Sequence, residues 1–181
     1  MDWLAFCFDL CSVVAGYGLA VAIEWSVHNF VFHRLGKRRG SFFGFHYKDH
    51  HRAVRRTRGG DPAFDGTRFA WNGYGREFWG VIGGMVLLAP LALVAPLCWV
   101  SASVCGVHYH IVHTRSHRDP RWCQDHLRWH WDHHLGTNQD TNWGVTNQWF
   151  DCVMGTRRPW VSKQERSAVE DAPTRPARAA S

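Results

Sequence analysis

Thirteen of the 181 residues are histidines, and they gather into four short clusters. These are His28-NFVF-His33, His46-YKD-His50-His51, His108-Y-His110-IV-His113 with His117 close behind, and His126-LRW-His130-WD-His133-His134. Neutral imidazole is the commonest protein ligand for a transition metal ion. Four clusters offer more ring nitrogens than one ion can take, so the chain is expected to hold a pair of ions.

On a regular α-helix, residues three or four apart share a face, while adjacent residues diverge by about 100°. His46 and His50 are therefore expected to face one ion while His51 reaches a second. His130, His133 and His134 share a face, as do His110, His113 and His117, whereas His108 points elsewhere. His28 and His33 are five apart, which on an α-helix turns the rings about 140° from each other. They either serve different ions or sit where the helix ends or bulges. A ligating imidazole also needs an acceptor at its other nitrogen. Among Glu24, Asp49, Asp125, Asp132 and Asp151, that supporting role is expected of Glu24, one turn before His28, and of Asp151. The others read as solvated surface charges.

The elements that must position these clusters are apolar. Trp3–Ile23 contains no Lys or Arg and one acid, Asp9, and Phe78–Val107 is thirty residues without a charge. About 20 apolar residues suffice to cross a bilayer. The slightly negative mean hydropathy averages over this segregation. The expected fold is an all-α integral membrane protein of one domain over residues 1–161, followed by a small, polar, disordered tail at 162–181. Residues 34–58 carry nine Lys and Arg against Asp49 alone. That asymmetry places the segment after the first helix in the cytoplasm and the N-terminus across the membrane. The formal net charge of +6 fits an anionic lipid surface, and no nucleic-acid partner is expected. Trp71, Tyr74 and Trp79 read as interface anchors.

A single crossing by residues 78–107 would put the second and third clusters on opposite faces of the membrane. Pro90 and Pro96 allow a turn instead. Arms near 78–93 and 96–113 then form a short hairpin, each arm about 24 Å long. All four clusters meet on the cytoplasmic face as a histidine-rich helical cap. The six cysteines form no CxxC pair, so neither a disulfide framework nor a cysteine-ligated cluster is expected.

The order of these boxes resembles the membrane fatty acid hydroxylase and sterol desaturase superfamily. Glu24-Trp25-SV-His28-NFVF-His33 is similar to its opening motif. Asn142-Trp143-Gly144-Val145-Thr146-NQ-Trp149-Phe150-Asp151-CVM-Gly155-Thr156 is similar to its closing segment. The likeness runs from about Glu24 to Thr156. Three residues precede the paired histidines of the second box, where many relatives have two. The family's third box is His-x3-His, but Tyr109 stands four before His113, so His110 is taken as the partner of His113.

The resemblance implies a lipid hydroxylase with a non-haem centre of two iron ions, for which zinc can substitute, and O2 as co-substrate. The implied ligands are His28, His33, His46, His50, His51, His110, His113, His130, His133 and His134. His108, His117 and His126, with Glu24 and Asp151, are further candidates for ligation or support. The implied partners are a membrane lipid, fatty acyl or sterol-like, and an external electron donor: a ferredoxin, a cytochrome b5-like protein or a reductase. No nucleotide-binding glycine motif is present to carry electrons internally. The basic face that includes Arg52, Arg55, Arg56 and Arg58 could dock that donor or contact lipid headgroups. A desaturase or carotenoid hydroxylase of the same superfamily is the nearest alternative. A zinc-dependent membrane hydrolase is disfavoured by the lack of HExxH, and a metal-storage or transport protein by the lack of polar residues in the spans.

Overall fold

The computed structural model describes residues 2–161; the expected tail at 162–181 lies outside the described residues. Among those residues every regular element is helical. Asp2 caps α1 (Trp3–Ser26), its carboxylate accepting from the amides of Leu4 and Ala5. The helix continues without a break into a π-helical segment, Val27–Leu35. A turn leads to a second π-helical segment, Phe45–His50, which runs into α2 (His51–Thr57). After a 3-10 turn at Pro62–Asp65 come α3 (Gly73–Leu87), a 3-10 turn at Ala89–Leu93 and α4 (Pro96–Arg118). Three short helices close the chain: α5 (Pro120–His126), α6 (Arg128–Leu135) and α7 (Trp149–Val153).

The prolines act as their chemistry requires. Pro96 opens α4, where its missing amide hydrogen costs nothing, and Pro90 lies in the turn between the arms. The indole N–H of Trp99 donates to the Met85 carbonyl at 3.1 Å and ties the arms together. The returning arm is longer than the sequence suggested, since α4 continues to Arg118.

The main helix–helix contact joins α1 to α4. A Cβ on Gly16 would lie 2.3 Å from the Cys98 carbonyl oxygen, so only glycine admits this approach. The Ser101 hydroxyl donates to the Val13 carbonyl at 2.8 Å across the same contact. Much of the remaining surface of the long helices is exposed. The continuous helix Trp3–Leu35 and the segment Gly73–Leu93 are long and apolar enough to cross a membrane, and only 11% and 6% of their most apolar windows are buried. Tyr74 departs from its expected role as an interface anchor: it is buried against Phe64 and stacks on His110.

Gly16→Val should lower stability in detergent by about 1–3 kcal/mol through overpacking. Gly18→Val, where a Cβ meets nothing within 4 Å, should leave the melting temperature close to wild type. Equal melting temperatures for the two variants would contradict the close α1–α4 packing.

Candidate metal centre

The first π-helical segment holds His28 and His33, five apart, and the second runs from His46 up to His51, five residues on at the start of α2. A π-helix bonds residue i to i+5, which brings such residues onto one face. His28 and His33 accordingly sit side by side, with ring centroids 5.2 Å apart, rather than 140° apart. The second segment behaves alike. Both His50 and His51 have ring centroids 5.1 Å from that of His46, but the ligand atom of His46 groups with that of His51 while that of His50 belongs to the other group. The expected division of this cluster, His46 with His50, is therefore corrected, because the helix there is not an α-helix.

Two groups result, each with ligand atoms within 4.8 Å of one another. The first comprises His28, His33, His46, His51 and His133; the second comprises His50, His113, His117 and His134. The adjacent residues His133 and His134 of α6 diverge and serve different groups. His130, one turn before His134, stands beside the second group with its Nε2 3.2 Å from Nε2 of His117. Every member of both groups is buried.

The Nε2 atoms face inward. Close pairs are His28–His46 at 3.0 Å, His33–His51 at 3.1 Å, His51–His133 at 3.1 Å and His113–His117 at 3.0 Å. Six of the Nδ1 atoms face outward to acceptors. His28 donates to the Trp143 carbonyl (2.6 Å), His133 to the Thr141 carbonyl (2.6 Å) and His117 to the Gly59 carbonyl (3.1 Å). Carboxylates accept from His50 (Asp61, 2.6 Å), His113 (Glu77, 2.7 Å) and His33 (Asp140, 3.2 Å). The Gln139 amide lies 2.8 Å from Nδ1 of His51.

A proton held at Nδ1 leaves Nε2 with a lone pair. Between His113 and His117, whose Nδ1 atoms both have acceptors, the two Nε2 lone pairs confront one another at 3.0 Å without a hydrogen between them, which is repulsive unless a cation lies among them. Nitrogens bound ~2.1 Å from one ion at right angles are about 3 Å apart, as these are. His50 Nε2 and both ring nitrogens of His134 are buried with no hydrogen-bond partner at all. The donor set, geometry and orphaned nitrogens all fit a pair of metal ions. Burial and the neighbouring imidazoles hold the protonated forms of His46, His51, His130 and His134 well out of reach at neutral pH. Burial lowers His133 to about 4. The rings are thus neutral, as ligation requires.

The expected ligand His110 lies outside both groups. It is buried against Tyr74, with its Nδ1 3.6 Å from Glu77 and neither nitrogen hydrogen-bonded. His117 takes the place next to His113, and His113-TRS-His117 is itself a His-x3-His pair read forward from His113 rather than backward. His108 is exposed on α4, and His126 is exposed with its Nδ1 bonded to the Trp122 carbonyl.

Glu24 and Asp151 touch no imidazole. Instead they hold the loop 141–146, whose carbonyls receive His28 and His133. Glu24 accepts from the Val145 and Thr146 amides and from the Thr146 hydroxyl. Asp151 accepts from the Trp143 and Gly144 amides (2.9 and 2.7 Å), the Thr156 hydroxyl and the Trp25 indole. Asp49 and Asp125 are exposed, and Asp132 is bound by Arg128 and Arg157. The acids that do meet imidazoles, Asp61, Glu77 and Asp140, were not singled out from the sequence. Glu77 had one signal: it is the acid that borders the uncharged block.

A family model described as fatty acid hydroxylase matches residues 13–156, which takes in both histidine groups and the loop that braces them. The chain belongs to the fatty acid hydroxylase family. This is a membrane-associated family of oxidoreductases within the fatty acid hydroxylase and sterol desaturase superfamily. No curated protein and no solved structure matches the chain. The histidine groups of this family member are able to bind metal.

His117→Ala should cost the second group its ion, halving metal per chain in elemental analysis. His110→Ala should leave the metal content unchanged. The reverse ranking would restore His110 as the ligand.

Proposed function

We propose that the protein hydroxylates the hydrocarbon chain of a membrane lipid, fatty acyl or sterol-like, using O2 at two iron ions held by the two histidine groups. The observation that carries this reading is the convergence of buried Nε2 atoms into two adjacent cages, with His51 and His134 ring centroids 4.3 Å apart across them. A pair of irons with all-nitrogen ligation would supply activation of O2 for attack on an unactivated C–H bond.

The chain's own residues supply placement. Exposed apolar side chains such as Leu4, Val14, Leu87 and Leu93 favour seating the long helices in lipid, where they meet hydrocarbon rather than water. Roughly 20 residues from Trp3 cross the hydrocarbon. Glu24, His28 and the following π-segment then stand at the cytoplasmic boundary, with the basic stretch 34–58. A lipid in that leaflet lies next to the cages. Burial of the histidines excludes water, and Nδ1 acceptors fix six of the rings with Nε2 facing inward. The two buried carboxylates nearest the second group, Asp61 and Glu77, are occupied at Nδ1 of His50 and His113. They are therefore committed to orienting ligands and are not available as the general base that a metal hydrolase requires. Electrons must come from an external donor.

Detergent-purified protein expressed with added iron should carry close to two ions per chain, iron or zinc in its place. With O2, reductant and membrane lipid it should yield a product heavier by one oxygen, labelled from 18O2. His134→Ala should abolish turnover. One ion or none per chain, or full activity in His134→Ala, would overturn this reading.

A further inference from the structure

We propose that electrons reach the first histidine group through Trp143, from a small acidic one-electron carrier docked on the depression beside it. This rests on the redox reading above, and it concerns where and from what kind of partner the electrons arrive. The Trp143 side chain is 3% exposed. Its ring centroid lies 4.7 Å from that of His33, 5.6 Å from His133 and 5.7 Å from His28, three members of the first group. The same residue lines a depression of about 240 Å³ shared with Asn29, Arg34, Lys37, Asp140 and Thr156. Trp143 therefore lies between a polar surface depression and three ligand rings, beside Asp140, whose carboxylate accepts from His33.

The second group has an aromatic neighbour of similar standing in Phe64, 5.2–5.4 Å from His50, His113 and His117. Phe64 is backed by the buried Tyr74 at 4.7 Å, so it leads deeper into the protein. Trp143 leads out.

The depression is lined by two cations, Arg34 and Lys37, against one acid, Asp140. Lys37 is spent on Asp140 (2.6 Å), which also receives His33. Arg34, Arg38 and Arg39 remain exposed, and residues 34–39 include no acid. Within the depression, Asn29 is 4% exposed and its side-chain oxygen has no partner. On the other basic face, Arg55 is already bound to the carbonyls of His134 and Gly136. Charge complementarity of this kind steers a partner of opposite sign and fixes its orientation.

The step itself makes and breaks no bond. At each docking the reduced carrier loses one electron, the metal centre gains one, and Trp143 serves as the packed medium between them without itself being oxidised or reduced.

A reduced [2Fe–2S] ferredoxin is the probe. Its affinity for the full-length protein loaded with zinc, and the rate at which it reduces the iron-loaded protein, are measured against salt. Arg34→Glu combined with Arg39→Glu should weaken affinity about tenfold (~1.4 kcal/mol) and remove most of the salt dependence. Reduction of the iron by dithionite should be unaltered by that pair. Trp143→Leu with its metal retained should slow reduction within the bound complex at least tenfold, and Trp143→Phe should recover much of the rate. Unchanged affinity in the charge-reversed protein overturns the docking surface, whatever the Trp143 variants do. So does a loss of binding to anionic vesicles with ferredoxin affinity intact, which would make the depression a headgroup site. An unchanged rate in Trp143→Leu overturns the route. Iron that is reduced normally without lipid product would instead count against the proposed reaction and leave this inference standing.

Discussion

Imidazole lone pairs about 3 Å apart repel one another, and nearly everything else in this protein serves to hold them there. Six of the nine rings are fixed from behind by an acceptor at Nδ1, supplied by Trp143, Thr141, Gly59, Asp61, Glu77 or Asp140. Those acceptors are themselves fixed. Glu24 and Asp151 gather the amides of the 143–146 loop, and the Trp129 indole donates to the Val145 carbonyl from α6. Gly59 comes close enough to Trp131 and Pro120 that a Cβ would overlap both, at a φ of +120° that glycine alone adopts without strain. This is what lets its carbonyl reach His117. Because the cages are repulsive when bare, metal affinity and folding free energy are coupled in such a site.

The backbone contributes through two stretches of π-helix. With i→i+5 bonding, His28 and His33 face together, and so do His46 and His51, leaving His50 to the other cage. A regular α-helix through either stretch would scatter the rings of the first group. The long helices contribute position: α1 delivers the first box, and α4, locked to α1 at Gly16, returns His113 and His117 to the same end.

Much of this was legible in the sequence. The four boxes, the apolar spans and the proline-turned hairpin follow from composition, spacing and the rule that all ligands must meet on one face. For His28 and His33 the five-residue spacing left two readings, different ions or a helix that bulges, and the π-helical segment realises the second; the division of the second cluster was not legible, because it depends on helix type. His117 was within reach, since His113-TRS-His117 has the α-helical i, i+4 spacing, but His110, three before His113, shares the same helix face and offers a competing pair. The Nδ1 acceptors were hidden for a different reason. Backbone carbonyls leave no trace in residue type, and Asp61 and Asp140 lie in loops whose course only tertiary packing sets.

The most direct test of the two-cage division is anomalous diffraction from crystals of the metal-loaded protein, which locates each ion and its ligands. The structure predicts two peaks. One should lie within bonding distance of Nε2 of His28, His33, His46, His51 and His133, and the other of His50, His113, His117 and His134. A single peak, or a site in which His46 and His50 share an ion, would contradict it.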